Sequence, residues 1–204
     1  MTAQTVVAAT HNAGKMRELQ ALLAPAGFSL RTLTDCGIHE SPEETGITFA
    51  ENALLKARFA VEKTGLPAFA DDSGLEVDAL GGAPGVHSAR YGAPERKTDA
   101  ERTAFLLENL TDAEVRTARF VSCVVLLYPD GRQVAARGVC EGVITHAPRG
   151  ENGFGYDPVF WLREYGATMA EIFATQKNEV SHRGQAVQLF LEALRSAAHP
   201  GGEA

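Results

Sequence analysis

The sequence predicts an α/β protein with a mixed central sheet and flanking helices. Three observations carry that prediction. Strand-like and helix-like segments alternate in the first half of the chain, two later strands flank a single turn, and an amphipathic helix closes the pattern. The chain has 204 residues, 45% of them hydrophobic and 22% charged, which suits one folding unit with a sizeable core. It contains no internal repeat, low-complexity tract or clear linker.

Thr5 to Ala9 reads as a short buried strand running into the polar break Thr10-His11-Asn12. From Lys15 the period changes: Met16, Leu19, Leu22 and Leu23 share a helical face, and Pro25 with Gly27 ends that helix. Phe28 to Leu33 alternates like a second strand. Thr48-Phe49-Ala50-Glu51 is a capping box opening a helix to about Thr64, with Gly65 as its stop. Pro67 to Ala70 is a short apolar strand that places Asp71-Asp72 at its C-terminal end. Gly81 to Pro94 reads as an ordered loop. Thr98-Asp99-Ala100-Glu101 is a second capping box, for a helix to Leu110. Arg119–Leu127 and Gln133–Cys140 are strands around Tyr128-Pro129-Asp130-Gly131, a type I turn signature, and should form a hairpin. Ser181 caps the last helix, which bears Ala186, Leu189, Phe190, Ala193 and Leu194 on one face. The tail 199–204 should be flexible.

Lys and Arg number 19 against 26 Asp and Glu, a net charge of −7. That balance argues against a partner with a phosphate backbone, which requires a basic face, so no nucleic acid is expected. Three scattered cysteines, Cys36, Cys123 and Cys140, form no CxxC pair and read as buried thiols in a reducing compartment. With no signal-peptide pattern and no apolar run of membrane-spanning length, a cytoplasmic location without membrane contact is expected.

Five places can carry chemistry. Thr10-His11-Asn12-Ala13-Gly14-Lys15 lies between a strand and a helix, where free N–H groups and the positive dipole end favour anions; an ordinary capped turn explains the pattern equally well. Asp71-Asp72 is a repelling carboxylate pair that a divalent cation would relieve, unless one Asp merely caps the turn with Ser73-Gly74. Glu43 or Glu44 can complete such a metal site or simply favour the following helix dipole. On that helix Asn52 and Lys56 share a face, although a solvated lysine is the ordinary reading. Gly153-Phe154-Gly155-Tyr156-Asp157-Pro158 is an aromatic loop in which Phe or Tyr can stack on a base or plug the core. Lys177 precedes Ser181-His182-Arg183, which puts two cations in a first helical turn against the dipole, so a ligand or carboxylate partner is expected there.

Together these segments resemble the inosine/xanthosine triphosphate pyrophosphatases. The match runs from about Val6 to about Arg195. It includes Thr10-x-Asn12-x-x-Lys15, Glu43-Glu44-Thr45-Gly46-x-Thr48-Phe49-x-Glu51-Asn52-Ala53, Lys56-Ala57 and Ala70-Asp71-Asp72-Ser73-Gly74-Leu75. It continues through Gly81-Gly82-Ala83-Pro84-Gly85, Ser88-Ala89-Arg90-Tyr91, Gly153 to Pro158 and Ser181-His182-Arg183-Gly184. The resemblance implies an elongated two-lobed domain over residues 1–198, a homodimer, and Mg²⁺-dependent hydrolysis of ITP, dITP, XTP and dXTP to the monophosphate and pyrophosphate. It implies phosphate contacts from Thr10, His11, Asn12, Ala13, Gly14, Lys15 and Lys56, with Mg²⁺ on Glu43 and Asp72. Asp72 would be the proton acceptor and Ser73 would touch substrate. Phe154, Gly155, Tyr156, Asp157, Lys177, His182 and Arg183 would form the nucleoside pocket. Ala174-Thr175-Gln176 stands where relatives often have acidic residues ahead of Lys177. The alternatives are a nucleotide-binding regulatory module without turnover, and a pyrophosphatase for modified pyrimidine nucleotides.

Overall fold

The structure is a computed structural model that describes residues 3–198; the tail 199–204 lies outside the described residues. Its elements in chain order are β1 (Gln4–Ala8), α1 (Ala13–Leu23), β2 (Phe28–Thr32), α2 (Phe49–Thr64), β3 (Ala68–Val77), α3 (Asp99–Asn109), β4 (Thr117–Leu127), β5 (Gln133–Ile144), β6 (Phe160–Leu162), β7 (Ala167–Thr168), α4 (Ala174–Val180) and α5 (His182–Ala198). The strands are hydrogen-bonded in the order β2-β1-β3-β4-β5-β6-β7. β1 is parallel to β2 and β3, whereas β6 is antiparallel to β5 and β7, so the sheet is mixed as expected. Among the described residues no helix is long and apolar enough to cross a membrane.

Both expected capping boxes form. Thr48 Oγ1 accepts from the Glu51 N–H while Glu51 accepts from the Thr48 N–H, and Thr98 and Glu101 repeat the arrangement on α3. Gly65 closes α2 with φ +68°, a conformation that suits glycine. β4 and β5 are neighbours joined by the expected tight turn, closed by the Tyr128 N–H to the Arg132 carbonyl at 2.9 Å.

The chain divides into two compact units. The first comprises the residues up to Asp72, Ser122–Gly138, and the residues from Arg183 onward. Its core gathers Val6, Leu19, Leu23, Phe28, Phe69 and Phe190, with the Phe69 and Phe190 rings edge-on at 5.1 Å. The second comprises Ser73–Val121 and Val139–His182 and packs around Leu75, Leu106, Phe120, Tyr156, Phe160 and Met169.

Three features differ from expectation. β3 does not stop at Ala70: it continues to Val77, so Asp71 and Asp72 lie inside a strand instead of at its end. Charged partners from other elements satisfy the two carboxylates there, which removes the penalty for holding them in a buried strand. Pairing with β1 nevertheless ends at Ala8 opposite Phe69, so the acidic pair follows directly on that pairing. β5 extends past Cys140 to Ile144 because Gly142 allows the close approach of Phe160, whose ring would lie 2.5 Å from any Cβ there. The segments β6, β7 and α4 carry no periodic signal, being three, two and seven residues long.

Candidate active site

In the first unit, the break after β1 turns the chain into α1. Asn12 caps that helix, its Oδ1 accepting from the Lys15 N–H at 3.0 Å, and the Asn12 N–H donates to Thr10 Oγ1 at 3.1 Å. The His11 ring donates through Nε2 to the Glu40 carbonyl at 3.2 Å. His11, Asn12 and Ala13 are exposed, Thr10 and Lys15 half-buried, and Gly14 buried.

The two adjacent aspartates have different surroundings. Asp71 is fully buried and accepts from Ser122 Oγ at 2.5 Å, Lys15 Nζ at 2.9 Å and Arg183 Nη2 at 3.1 Å. Burial alone would raise its pKa, but Arg183 and Lys15, aided by the Ser122 hydrogen bond, hold the carboxyl well below the usual range. Arg183 is 1% exposed and its other terminal nitrogen binds Glu18 of α1. The carboxylate partner expected for a cation at this helix start is therefore present twice over. Asp72 binds Lys56 Nζ at 2.6 Å, and burial pushes its carboxyl up despite the attraction of Lys56 and Lys15. Burial likewise lowers the Lys15 ammonium pKa, with Asp71 opposing.

Lys56 is not a solvated lysine: it also lies 3.4 Å from Glu44. Asn52, one turn earlier on α2, is buried and clasps Gly46 from both sides, accepting from its N–H at 2.8 Å and donating to its carbonyl at 3.3 Å. That clasp ties the Glu43–Gly46 segment to α2, and a Cβ on Gly46 would come within 2.6 Å of Asn52 Oδ1. Glu44 lies towards Lys56, whereas Glu43 is exposed.

In the second unit, Asp157 organises the aromatic loop. One carboxylate oxygen accepts from the Phe154 N–H at 2.8 Å and from Lys177 Nζ at 2.5 Å, and the ammonium lies 4.9 Å from the centre of the Phe154 ring. Asp157 thus supplies an acidic partner to Lys177, which follows Ala174-Thr175-Gln176. The two aromatics separate: Phe154 is half-buried, while Tyr156 is a core residue whose hydroxyl donates to the Ser88 carbonyl at 2.8 Å. Burial pushes the Tyr156 phenol far up, which suits packing and not titration. His182 is buried and stacked on Phe120 at 4.7 Å and 17°. Ser73, half-buried, opens this unit.

Glu18 and Ser122 were not expected from the sequence, and residue chemistry alone leaves Glu43 equivalent to Glu44 and Asp71 to Asp72, although the resemblance points to Glu43 and Asp72. The only sequence signal for any of these was the pair of cations at a helix start, which demanded a carboxylate without saying which one.

The pattern of segments is that of a known family: a model of the Ham1 family matches residues 6–193. The chain belongs to the Ham1 family. A Ham1 relative from Thermus thermophilus, named dITP/XTP pyrophosphatase, is 55% identical over 197 residues, covering 96% of this chain and 94% of the relative. A solved Ham1 protein from Coxiella burnetii is 42% identical with a TM-score of 0.85, covering 95% of this chain and 99% of that one. A solved nucleoside-triphosphatase / dITP/XTP pyrophosphatase from Mycobacterium abscessus is 44% identical with a TM-score of 0.74, over 91% and 98% of the two chains.

Two carboxylates suit a hard cation in this Ham1 chain. Among the described residues no cluster of three or more His, Cys, Asp or Glu side chains is set to hold an ion.

Proposed function

We propose that this protein is a nucleoside-triphosphate pyrophosphatase that converts dITP, ITP, dXTP and XTP to the monophosphate and pyrophosphate. The observation that carries the reading is the division of labour between adjacent carboxylates. Asp71 is held by Lys15, Arg183 and Ser122, whereas Asp72 pairs with Lys56 and has its carboxyl raised by burial, which leaves it the better proton acceptor of the two. The names of the relatives support the substrate class.

Thr10 to Gly14, with the N–H groups at the start of α1, bind phosphate oxygens, and Lys15 and Lys56 add charge that grows in value as the leaving group forms. Water attacks the α-phosphorus, Asp72 takes its proton, and the bond to the bridging oxygen breaks with pyrophosphate leaving. Glu43 and Asp72 hold Mg²⁺, with Glu44 kept by Lys56; when bound, the ion supplies charge for the phosphates and acidity for water. Ser73, Phe154, Gly155, Tyr156, Asp157, Lys177, His182 and Arg183 serve the nucleoside, Phe154 by its ring and Tyr156 by fixing the loop. Their donors suit the 6-carbonyl of inosine and xanthosine and are left unpaired by the 6-amino group of adenine.

Three free thiols, Cys36, Cys123 and Cys140, support a cytoplasmic location. The homodimer implied by the resemblance is tested by sedimentation. Phosphate detection with added inorganic pyrophosphatase, across ITP, XTP, GTP, ATP, dUTP and dTTP with Mg²⁺, tests the activity. Signal from ITP and XTP that requires the helper enzyme is expected. Binding without turnover, or a preference for dUTP or dTTP, overturns the reading.

A further inference from the structure

Helix α3 contributes no residue to the proposed site, yet it holds the aromatic loop by the loop's backbone. The Gly155 N–H donates to Asp99 Oδ2 at 2.7 Å, and the Gly155 carbonyl accepts from Thr103 Oγ1 at 3.4 Å. Asp99 and Thr103 are one turn apart on one face of α3, so a single rigid element grips both polar atoms of one peptide residue. Thr103 is buried, and the second Asp99 oxygen is fixed by Arg102 Nη2 at 2.5 Å. Arg102 is in turn held by the Lys97 carbonyl at 2.9 Å. An acid in a first helical turn is favoured by the dipole alone, but the dipole does not aim it at Gly155. Gly155 has φ +62° and Gly153 φ +77°, so the loop around Phe154 has two permissive hinges and no side chain of its own at Gly155.

We infer that Asp99 and Thr103 are positioning residues that clamp Gly155 and so set the Phe154 ring and the Asp157–Lys177 pair for the purine. This deepens the proposed function and rests on it. The charge-assisted bond from the Gly155 N–H is the stronger half of the clamp, so Asp99 is the residue to perturb.

The test uses the full chain with Asp99→Ala, Asp99→Asn and, as control, Glu101→Ala, which damages the α3 cap without touching Gly155. Steady-state kinetics on ITP, inhibition by inosine monophosphate and by pyrophosphate, and amide hydrogen exchange of peptides covering 153–157 are measured. Asp99→Ala should raise KM for ITP and Ki for inosine monophosphate by about tenfold, with kcat and the pyrophosphate Ki changing by less than about twofold. Exchange at 153–157 should quicken. Asp99→Asn keeps an acceptor oxygen and should recover part of each effect. Glu101→Ala should lower thermal stability and move none of these readouts. Unchanged exchange in folded Asp99→Ala or Asp99→Asn overturns the clamp, as does a parallel rise in the pyrophosphate Ki or the same pattern from Glu101→Ala. If the wild type releases no pyrophosphate from ITP, the functional reading fails, while faster exchange in Asp99→Ala still supports the clamp.

Discussion

Replacing Asp71 and Asp72 in turn by asparagine should separate stability from chemistry at two adjacent positions. Asparagine preserves volume but removes the charge that Lys15 and Arg183 face at Asp71. Removing one member of a buried ion pair costs about 3–5 kcal/mol, because the remaining charge is stranded. Arg183 keeps Glu18, which places Asp71→Asn near the lower figure, about 3 kcal/mol. In a chain of this size that lowers the melting midpoint by about 6–12 °C. The pH dependence has a definite sign. The folded Asp71 pKa is depressed, so its contribution is complete above the ordinary Asp value of about 4 and is lost as pH falls towards the folded value. The stability gap between wild type and Asp71→Asn should therefore close on acidification. Asp72 behaves oppositely, since burial raises its carboxyl and the fold gains little from its charge. Asp72→Asn should melt close to wild type, still bind nucleotide, and lose turnover by on the order of 10²–10⁴-fold. Scanning fluorimetry from about pH 2 to about pH 8, with the gap constant above about pH 4 and closing below it, and pyrophosphate release from ITP measure both. Wild-type midpoints in Asp71→Asn, or near-normal turnover in Asp72→Asn, would refute the assignment.

Lys56 lowers the Asp72 pKa, so Lys56→Met should move the acid limb of the kcat/KM profile to higher pH, read from residual activity between pH 5 and pH 8. Gly153→Ala puts a Cβ 2.0 Å from Asp157 Oδ2 at φ +77°, and should cost about 1–3 kcal/mol in urea unfolding while raising KM for ITP, because Asp157 must release Phe154 or Lys177. Chelation of divalent cations should abolish pyrophosphate release, and Mg²⁺ should restore it; full activity in chelator would remove the metal from the mechanism.

What was legible in the sequence was what neighbours in the chain decide. The two capping boxes form between residues three apart, so Thr48 with Glu51 and Thr98 with Glu101 state their own helix starts. The strands β6 and β7 are held by pairing such as the Met169 N–H to the Phe160 carbonyl, nine residues apart, and at three and two residues they are too short to show a period. The same distinction governs the site. Phe154 and Tyr156 looked equivalent as stacking groups, yet Tyr156 is drawn into the core by Ser88, a partner 68 residues away. The acidic pair was visible as a pair, but which aspartate is structural depends on residues 15, 122 and 183.

Arg183 and Lys15 both stand in first helical turns, against the dipole, and both are satisfied by Asp71. Ion pairs link Lys15 and Arg183 to Asp71, Arg183 to Glu18, and Lys56 to Asp72 and Glu44. These cations are thus engaged by carboxylates beside the N-terminal end of α1, which attracts anions. Lysines paired with carboxylates attract an anion less than free lysines do, so a phosphate arriving here competes with Asp71, Asp72 and Glu44 for them. Under the proposed metal binding, a divalent ion on the carboxylates would free those lysines for phosphate, so phosphate binding and metal binding should be coupled.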